Sequence, residues 1–305
     1  MVATTYNQID ANRRRTLLLM VGFSFFIVVV AYILVRALGY QGVGALSFVG
    51  IFLVVSGLIN LASYYWSDKL VLGLAGAKEI QKKDNPEVYR AVENLCIADG
   101  LPTPKVYIID DPAPNAFATG RDPKHSVIAV TTGLLNRLEK LELEGVIAHE
   151  LSHVKNYDTR LMSIVVVLVG LLAVLADFFF RSMWWGRSAD NRNSGGAIFL
   201  VLGIVAAIFA PIAANLIKLA VSRRREFLAD SSGALLTRYP EGLASALVKI
   251  SADPNTLKGA NTATAHLYIS NPFKGKQSTN WLVKLFSTHP PVEERVAALK
   301  GMEMP

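Results

Sequence analysis

The sequence has few charged residues, five histidines and a single cysteine, Cys96, in 305 residues. One cysteine excludes a disulfide framework within the chain and suits a reducing or redox-indifferent setting. Charged residues make up 18% of the chain, whereas hydrophobic residues make up 52%. Because this balance is too apolar for an ordinary soluble domain, it predicts insertion into a membrane.

Four apolar runs account for this composition. They cover residues 16–35, 43–66, 161–180 and 197–217. Each run is long enough to cross a hydrocarbon core of about 30 Å at about 1.5 Å per residue. The first run is too long for the apolar part of a signal peptide and is expected to be a retained helix. The sequence therefore predicts four transmembrane helices that interact with a lipid bilayer.

The net charge of +7 has two explanations, nucleic-acid binding or arginines that flank membrane segments. The second is favoured, and no nucleic acid is expected, because arginines cluster at the ends of the apolar runs. These arginines are Arg13, Arg14, Arg15, Arg223, Arg224 and Arg225. An even number of crossings puts both clusters on one side of the membrane, which the positive-inside rule makes the cytosol. Arginines on the opposite side weaken this orientation, and a re-entrant pair for the last two runs stays open.

A soluble segment separates the second and third runs. Asn85 and Pro86 are typical of a helix start, and Gly100 is typical of its end. Residues 105–110 and 126–131 are predicted to be strands, and residues 115–120 between them a short edge strand. This part of the chain is thus expected to combine helices with a small sheet.

The stretch "HELSHVKNYD" begins with His149, Glu150 and, four residues after the first histidine, His153. Residues four apart share one face of an α-helix, so both imidazoles can reach one cation. Glu150 lies close to the same face. This arrangement is typical of a site that binds zinc with two histidines while a carboxylate transfers a proton.

A hydrolytic zinc site usually needs a third protein ligand, which "RRREFLAD" can supply. Glu226 offers an anionic oxygen. Asp230, one turn later, can accept a hydrogen bond from a ligand histidine and fix its tautomer. An alternative is that Glu226 forms an ordinary surface ion pair with Arg223 or Arg224. The rival third ligands are two histidines in polar, loop-like surroundings, His125 and His266.

Four motifs together resemble a known family. "PNAFATG", "HELSHVKNYD", "EFLAD" and "STHPPVEERV" are similar to the motifs of the integral-membrane zinc endopeptidases of the HtpX type, with the CAAX prenyl endopeptidases as more distant relatives. The resemblance covers nearly the whole chain. It implies a mainly α membrane protein with an α+β, zincin-like catalytic domain and an edge strand for substrate.

The resemblance also implies roles for single residues. His149, His153 and Glu226 match the ligands of one zinc ion per chain, and Glu150 matches the general base. Asp230 matches the carboxylate that orients a ligand histidine.

Five further positions match the family, and each has a structural alternative. Asn115 and Ala116 match an edge strand that pairs with substrate backbone, or form a plain Asx turn. His289 matches a histidine that stabilises the oxyanion, or caps the last helix. Arg295 braces that region or lies on a helix surface. Asp158 matches an acid of the family or only ends the helix.

These motifs divide the chain into four parts. They are an N-terminal segment with a membrane hairpin (residues 1–66), a first catalytic part with the two histidines (67–160), a second membrane pair (161–220) and a second catalytic part with the third ligand (221–305). The expected location is the prokaryotic plasma membrane, with the active site facing the cytoplasm.

The expected function is hydrolysis of peptide bonds in misfolded or damaged membrane proteins, as part of quality control and the stress response. The substrates are membrane-protein or unfolded polypeptides. One alternative is a protease that trims lipid-modified chain ends. Another is an inactive membrane scaffold or chaperone that keeps zinc structurally, although such a protein has no need of Glu150.

Overall fold

The computed structural model describes residues 5–37, 42–185, 222–259, 264–273 and 290–302. Within these ranges the chain is mainly helical and has one small mixed sheet, as the sequence predicts. The whole fourth apolar run (residues 197–217) and His289 lie outside the described residues.

Two long helices form the N-terminal hairpin. They are α1 (Thr5–Ala37) and α2 (Gly42–Leu74), each of 33 residues. Asn60 of α2 donates hydrogen bonds to the Met20 carbonyl (3.0 Å) and to the Ser24 hydroxyl (2.8 Å) of α1. Because polar groups between apolar helices need partners, these bonds hold the two helices side by side.

One helix among the described residues is long and apolar enough to cross a membrane. It is the Gly50–Leu74 part of α2, with a mean hydropathy of 1.3. Apolar side chains of this helix point outward, and Val54 and Leu58 are 63% and 61% exposed. An exposed apolar surface of this kind suits contact with lipid. The other three predicted crossings stay predictions.

The sheet has four strands. They are β1 (Lys78–Glu79), β2 (Lys105–Ile109), β3 (Ala116–Gly120) and β4 (Ser126–Thr131), in the order β1-β2-β4-β3. β2 and β4 are parallel, and β3 is antiparallel to β4. The predicted edge position of β3 is therefore confirmed. Gly120 ends β3 with φ +129°, and a Cβ there would lie 2.2 Å from the His125 carbonyl oxygen, so this turn requires glycine.

Seven further α-helices follow in the described residues. They are α3 (Pro86–Asp99), α4 (Thr132–Arg137), α5 (Lys140–Lys155), α6 (Asp158–Trp185), α7 (Arg223–Thr237), α8 (Pro240–Ala252) and α9 (Val292–Lys300). α3 begins and ends as predicted, because the Asn85 side chain accepts a hydrogen bond from the Val88 amide (3.2 Å) and Gly100 has φ +68°. α6 contains the third apolar run and follows α5 almost directly.

α5 is the central helix of the catalytic part. All of its residues from Glu142 to Val154 except Glu144 are buried, and the helix packs against the sheet, α7 and α8. Two glycines permit the close approach of these helices. A Cβ on Gly233 of α7 would lie 2.9 Å from the His149 amide nitrogen, and one on Gly145 of α5 would lie 2.8 Å from the Leu243 amide nitrogen of α8. Gly233 thus lets α7 contact α5 at its first histidine.

Candidate metal centre

Two imidazoles lie side by side on α5. His149 and His153 are one helical turn apart, and both are buried. Their rings are nearly perpendicular, at 88°, with centroids 4.8 Å apart. The two Nε2 atoms are 3.2 Å apart. The four-residue spacing therefore brings two nitrogen donors to one point, as the sequence predicts.

A carboxylate from α7 completes a group of three donors. Glu226 Oε2 lies 3.8 Å from His149 Nε2, and Oε1 lies 3.6 Å from His153 Nε2. One atom from each residue falls within 4.8 Å of the others. Two ligands at about 2.0–2.1 Å from a tetrahedral zinc ion stand about 3.3 Å apart. The observed spacings fit such an ion after small side-chain movements.

Carboxylates fix the orientation of both imidazoles. His149 Nδ1 lies 2.9 Å from Asp230 Oδ1, and His153 Nδ1 lies 3.0 Å from Asp158 Oδ2. A carboxylate accepts a hydrogen bond, so each Nδ1 carries the hydrogen and each Nε2 is left for a ligand. Asp230 makes the contact that its predicted orienting role requires, and Asp158 makes the equivalent contact on the other histidine.

The site favours a positive charge between the two rings. Two Nε2 lone pairs 3.2 Å apart repel one another unless a metal ion or a proton lies between them. Burial lowers the pKa of His149. Burial acts in the same direction on His153, but the hydrogen bond to Asp158 and the charge of Glu226 outweigh it and raise the pKa of His153 to about 9. Metal binding at these two nitrogens therefore competes with protonation of His153.

Glu150 lies between the donor group and the edge strand. Its carboxylate is buried, and it accepts a hydrogen bond from the Ala118 backbone amide of β3. Burial raises the pKa of Glu150 to about 7, an effect that His153 opposes and Glu226 strengthens. A carboxylate with a pKa near neutrality can both accept and return a proton, which is what a general base of hydrolysis must do.

Arg295 braces the site from α9. It is 1% exposed, so the interpretation as a helix-surface arginine is wrong. Its Nε and Nη2 donate to the two oxygens of Asp230 at 2.8 and 2.6 Å, and its Nη1 donates to the Ile269 carbonyl at 3.1 Å. A bidentate pair of this kind fixes the plane of the carboxylate. Arg295 thereby orients His149 through Asp230.

Comparison with known proteins agrees with this geometry. The model of peptidase family M48 matches residues 82–303. The chain belongs to peptidase family M48. It is 47% identical to a protease HtpX homolog from Dictyoglomus thermophilum over 299 residues, which cover 98% of this chain and 95% of that protein. A protease HtpX homolog from Pyrococcus furiosus is 44% identical and covers 95% of this chain and 96% of its own length.

These relationships make the protein a metallopeptidase, and together with the apolar helix α2 they support a membrane protein. A crystal structure of S. mikatae Ste24p has a TM-score of 0.48 and 18% identity, over 96% of this chain and 67% of that one.

The predicted substrate strand of this M48 peptidase is partly covered by its own chain. The Asn115 side chain donates to the Ser270 carbonyl (3.0 Å) and accepts from the Ser270 amide (3.3 Å). The Ala116 carbonyl accepts from the Ile269 amide (3.0 Å). Tyr268 packs edge-on against Phe117 of β3. Asn115 and Ala116, which are predicted to bind substrate, thus form hydrogen bonds with the segment 268–270 of the same chain. Their role in substrate binding stays a prediction.

The other predicted site residues fall into two groups. His289 lies outside the described residues, and its role stays a prediction. The two rival ligands lie apart from the donor group that the described residues form. His125 is half exposed and its Nδ1 lies 2.8 Å from Asp122 Oδ1, whereas His266 is buried with Nε2 3.3 Å from the Met162 carbonyl oxygen.

The M48 metal centre should weaken when Asp230 is replaced. We expect Asp230→Ala to lower the affinity for zinc by about 10- to 100-fold, because the orientation of His149 is lost and Arg295 is left without its carboxylate. A chelator competition with purified protein measures this affinity. Asp253→Ala is the matched control, since it removes a buried carboxylate that pairs with Arg137 at 2.8 Å. Equal affinities in wild type and Asp230→Ala would contradict the orienting role.

Proposed function

We propose that the protein is a zinc-dependent endopeptidase that cleaves unfolded or membrane-protein segments at the cytosolic face of the plasma membrane of a prokaryote. The observation that supports it is the convergence of His149, His153 and Glu226 on one point with Glu150 beside them. Two imidazoles and one carboxylate form a donor set typical of catalytic zinc. Three protein donors leave a fourth position for water or substrate.

Zinc bound by these three residues would supply Lewis-acid chemistry, lowering the pKa of water to roughly 7 and polarising the scissile carbonyl. The protein's own groups supply the proton transfers. Glu150 accepts a proton from the attacking water and returns it to the leaving amine. The Ala118 amide holds the Glu150 carboxylate in place by its hydrogen bond. We assign oxyanion stabilisation to His289, as the family resemblance implies.

Substrate is proposed to bind as an additional strand beside β3. Backbone pairing of this kind needs no particular side chains, so broad specificity is expected. The Ala116 carbonyl and the Asn115 amide group are occupied by Ile269 and Ser270. A substrate that pairs with them must therefore displace these two residues.

The proposed location follows from the direct connection between the site and the membrane part. α5 carries the histidines and passes after a short turn into α6, which contains the third apolar run. At the end of the second run, Tyr65 and Trp66 of α2 are exposed, as is typical of residues at a membrane interface. A site in this place would receive loops or extracted segments of damaged membrane proteins, which supports a role in quality control.

The proposal is tested with protein purified in detergent. We expect about one zinc ion per chain, digestion of casein and of an unmodified membrane-protein loop, loss of both activities with a chelator, and recovery on addition of zinc. A prenylated peptide serves as the comparison substrate. Cleavage of that peptide alone would favour trimming of lipid-modified ends, and zinc binding without any hydrolysis would favour a scaffold. Digestion that a chelator leaves unchanged would contradict the metal-dependent mechanism.

A further inference from the structure

The turn between α5 and α6 carries one of the carboxylates that orient the metal ligands. α5 ends at Lys155 and is capped by Asn156, Tyr157 has φ +58°, and Asp158 begins α6. A tyrosine in the left-handed region is strained and persists only where its surroundings hold it. The position of Asp158, and with it the hydrogen bond to His153, therefore depends on what contacts this turn.

A residue from the opposite end of the chain contacts it. Asn12 of α1 is 0% exposed, and its Nδ2 donates to the Asp158 Oδ1 (2.7 Å) and to the Asn156 carbonyl (2.9 Å). Its Oδ1 lies 3.4 Å from Nη1 of Arg225, which lies equally far from Asp158 Oδ1. The amide of Asn12 thus uses both its hydrogens and its oxygen within one buried cluster.

Two arginine side chains stack on the tyrosine ring of the same turn. The Arg13 guanidinium lies 4.8 Å from the centre of the Tyr157 ring, and that of Arg160 lies 4.7 Å from it. Contacts of this kind stabilise an aromatic ring at a fixed position. α1 therefore contacts both the backbone and the strained residue of the turn.

We propose that Asn12 is a positioning residue for the metal centre, which acts on His153 through Asp158. Asn12 and Arg225 hold one oxygen of Asp158, and the other oxygen is left to face His153 Nδ1 at 3.0 Å. Without Asn12 the carboxylate loses its closest donor and can turn away from the imidazole. The proposal rests on the assignment of His153 as a metal ligand. It makes α1, which lies before the matched range 82–303, a part of the metal centre.

The test measures metal binding, and every variant carries Glu150→Gln so that the chain cannot cleave itself. Asn12→Leu keeps the branched shape and the number of heavy atoms of the side chain and removes its hydrogen bonds. We expect the Kd for Zn²⁺, from competition with a chelating dye in detergent, to rise about tenfold, the lower end of the effect of lost outer ligand contacts. The visible spectrum of bound Co²⁺ should change as well, because it reports the geometry of the histidine ligands. If Asn12→Leu does not fold, Asn12→Ser retains one donor and should bind with intermediate affinity.

Asn60→Leu is the matched control. It also removes a buried asparagine from the hairpin, and it breaks the bonds to Met20 and Ser24 without a contact to the metal site. We expect this variant to lose stability and to keep the Kd of the parent. An equal rise in Kd for Asn12→Leu and Asn60→Leu would mean that general loosening of the hairpin is responsible, which would overturn the proposal.

A double-mutant cycle tests the route through Asp158. If Asn12 acts through this carboxylate, Asn12→Leu should have no further effect on Kd in an Asp158→Ala background. Additive effects, or a Kd of Asn12→Leu within about twofold of the parent, would overturn the proposal. His153→Ala separates this outcome from failure of the metal assignment. Unchanged zinc binding in His153→Ala would contradict the proposed function itself. Loss of zinc binding in His153→Ala together with an unchanged Kd in Asn12→Leu would contradict only the role of Asn12.

Discussion

Peptide hydrolysis by the Glu150→Gln variant should fall by about 10²- to 10⁴-fold, the range attributed to general base catalysis, while one metal ion per chain stays bound. The amide of glutamine cannot accept the proton of the attacking water. It can still accept the hydrogen bond from the Ala118 amide, so the local structure should persist. His149, His153 and Glu226 are unchanged, which keeps the donor set intact. Initial rates on casein together with metal analysis measure both effects.

The control is Glu142→Gln on the same helix. Glu142 is buried, and its oxygens accept from Ser245 Oγ (2.5 Å) and Lys249 Nζ (2.8 Å), in a cluster separate from the donor group. We expect this variant to lose stability and to retain its rate. A Glu150→Gln rate close to that of wild type would refute the assignment of Glu150 as the base. Equal losses in the two variants would mean that a buried carboxylate on α5 matters only for folding.

The features predicted well from the sequence are those set by local spacing. His149 and His153 share a face because a helix repeats every 3.6 residues, and the structure brings their Nε2 atoms to 3.2 Å. Strand β3 occurs at the sheet edge where prolines and an aspartate interrupt the pattern. In both cases the order of residues along the chain determines the local geometry, so the prediction needs no knowledge of tertiary contacts.

Contacts between distant parts of the chain were not predictable in this way. Arg295 has the surroundings of a surface residue in the sequence, and only the packing of α9 buries it against Asp230. Asn12 precedes an apolar run and has no pattern that connects it with Asp158, 146 positions later. Arg225 was expected to flank the membrane, yet it is buried beside this pair. The sequence offers one indication of such contacts. It is a polar side chain for which the neighbouring sequence supplies no hydrogen-bond partner.

The covering of the predicted substrate strand by residues 268–270 was not predictable from the sequence for a related reason. The sequence around residues 254–288 is rich in polar residues and predicts a loop, and loops are expected at the surface. The structure instead places Ile269 and Ser270 against Asn115 and Ala116. The unpaired N–H and C=O groups of an edge strand can form hydrogen bonds with any extended backbone, from a substrate or from the same chain. Which of the two occupies it depends on tertiary structure.

Zinc content should fall below one ion per chain when Glu226 is replaced by alanine. Loss of outer contacts alone costs about 10- to 100-fold in affinity, so loss of a direct ligand should cost at least about 100-fold. Two imidazoles would remain as ligands. The negative charge of Glu226 also helps to raise the pKa of His153, so removal of Glu226 makes a cation between the two rings less favourable. Hydrolysis should fall with the zinc content and recover partly at high zinc concentration. Metal analysis after dialysis, combined with rates at several zinc concentrations, measures both.

Glu241→Ala is the control for this change, because Glu241 lies exposed at the start of α8, the helix that follows α7. It should keep its zinc and its rate. One tightly bound zinc ion in Glu226→Ala would contradict the third-ligand assignment and direct attention to His125 or His266. The geometry disfavours both, since His125 pairs with Asp122 at the surface and His266 Nε2 faces the Met162 carbonyl oxygen. Only Glu226 lies within 4 Å of both Nε2 atoms on α5 among these three candidates, so the zinc content of this one variant decides between them.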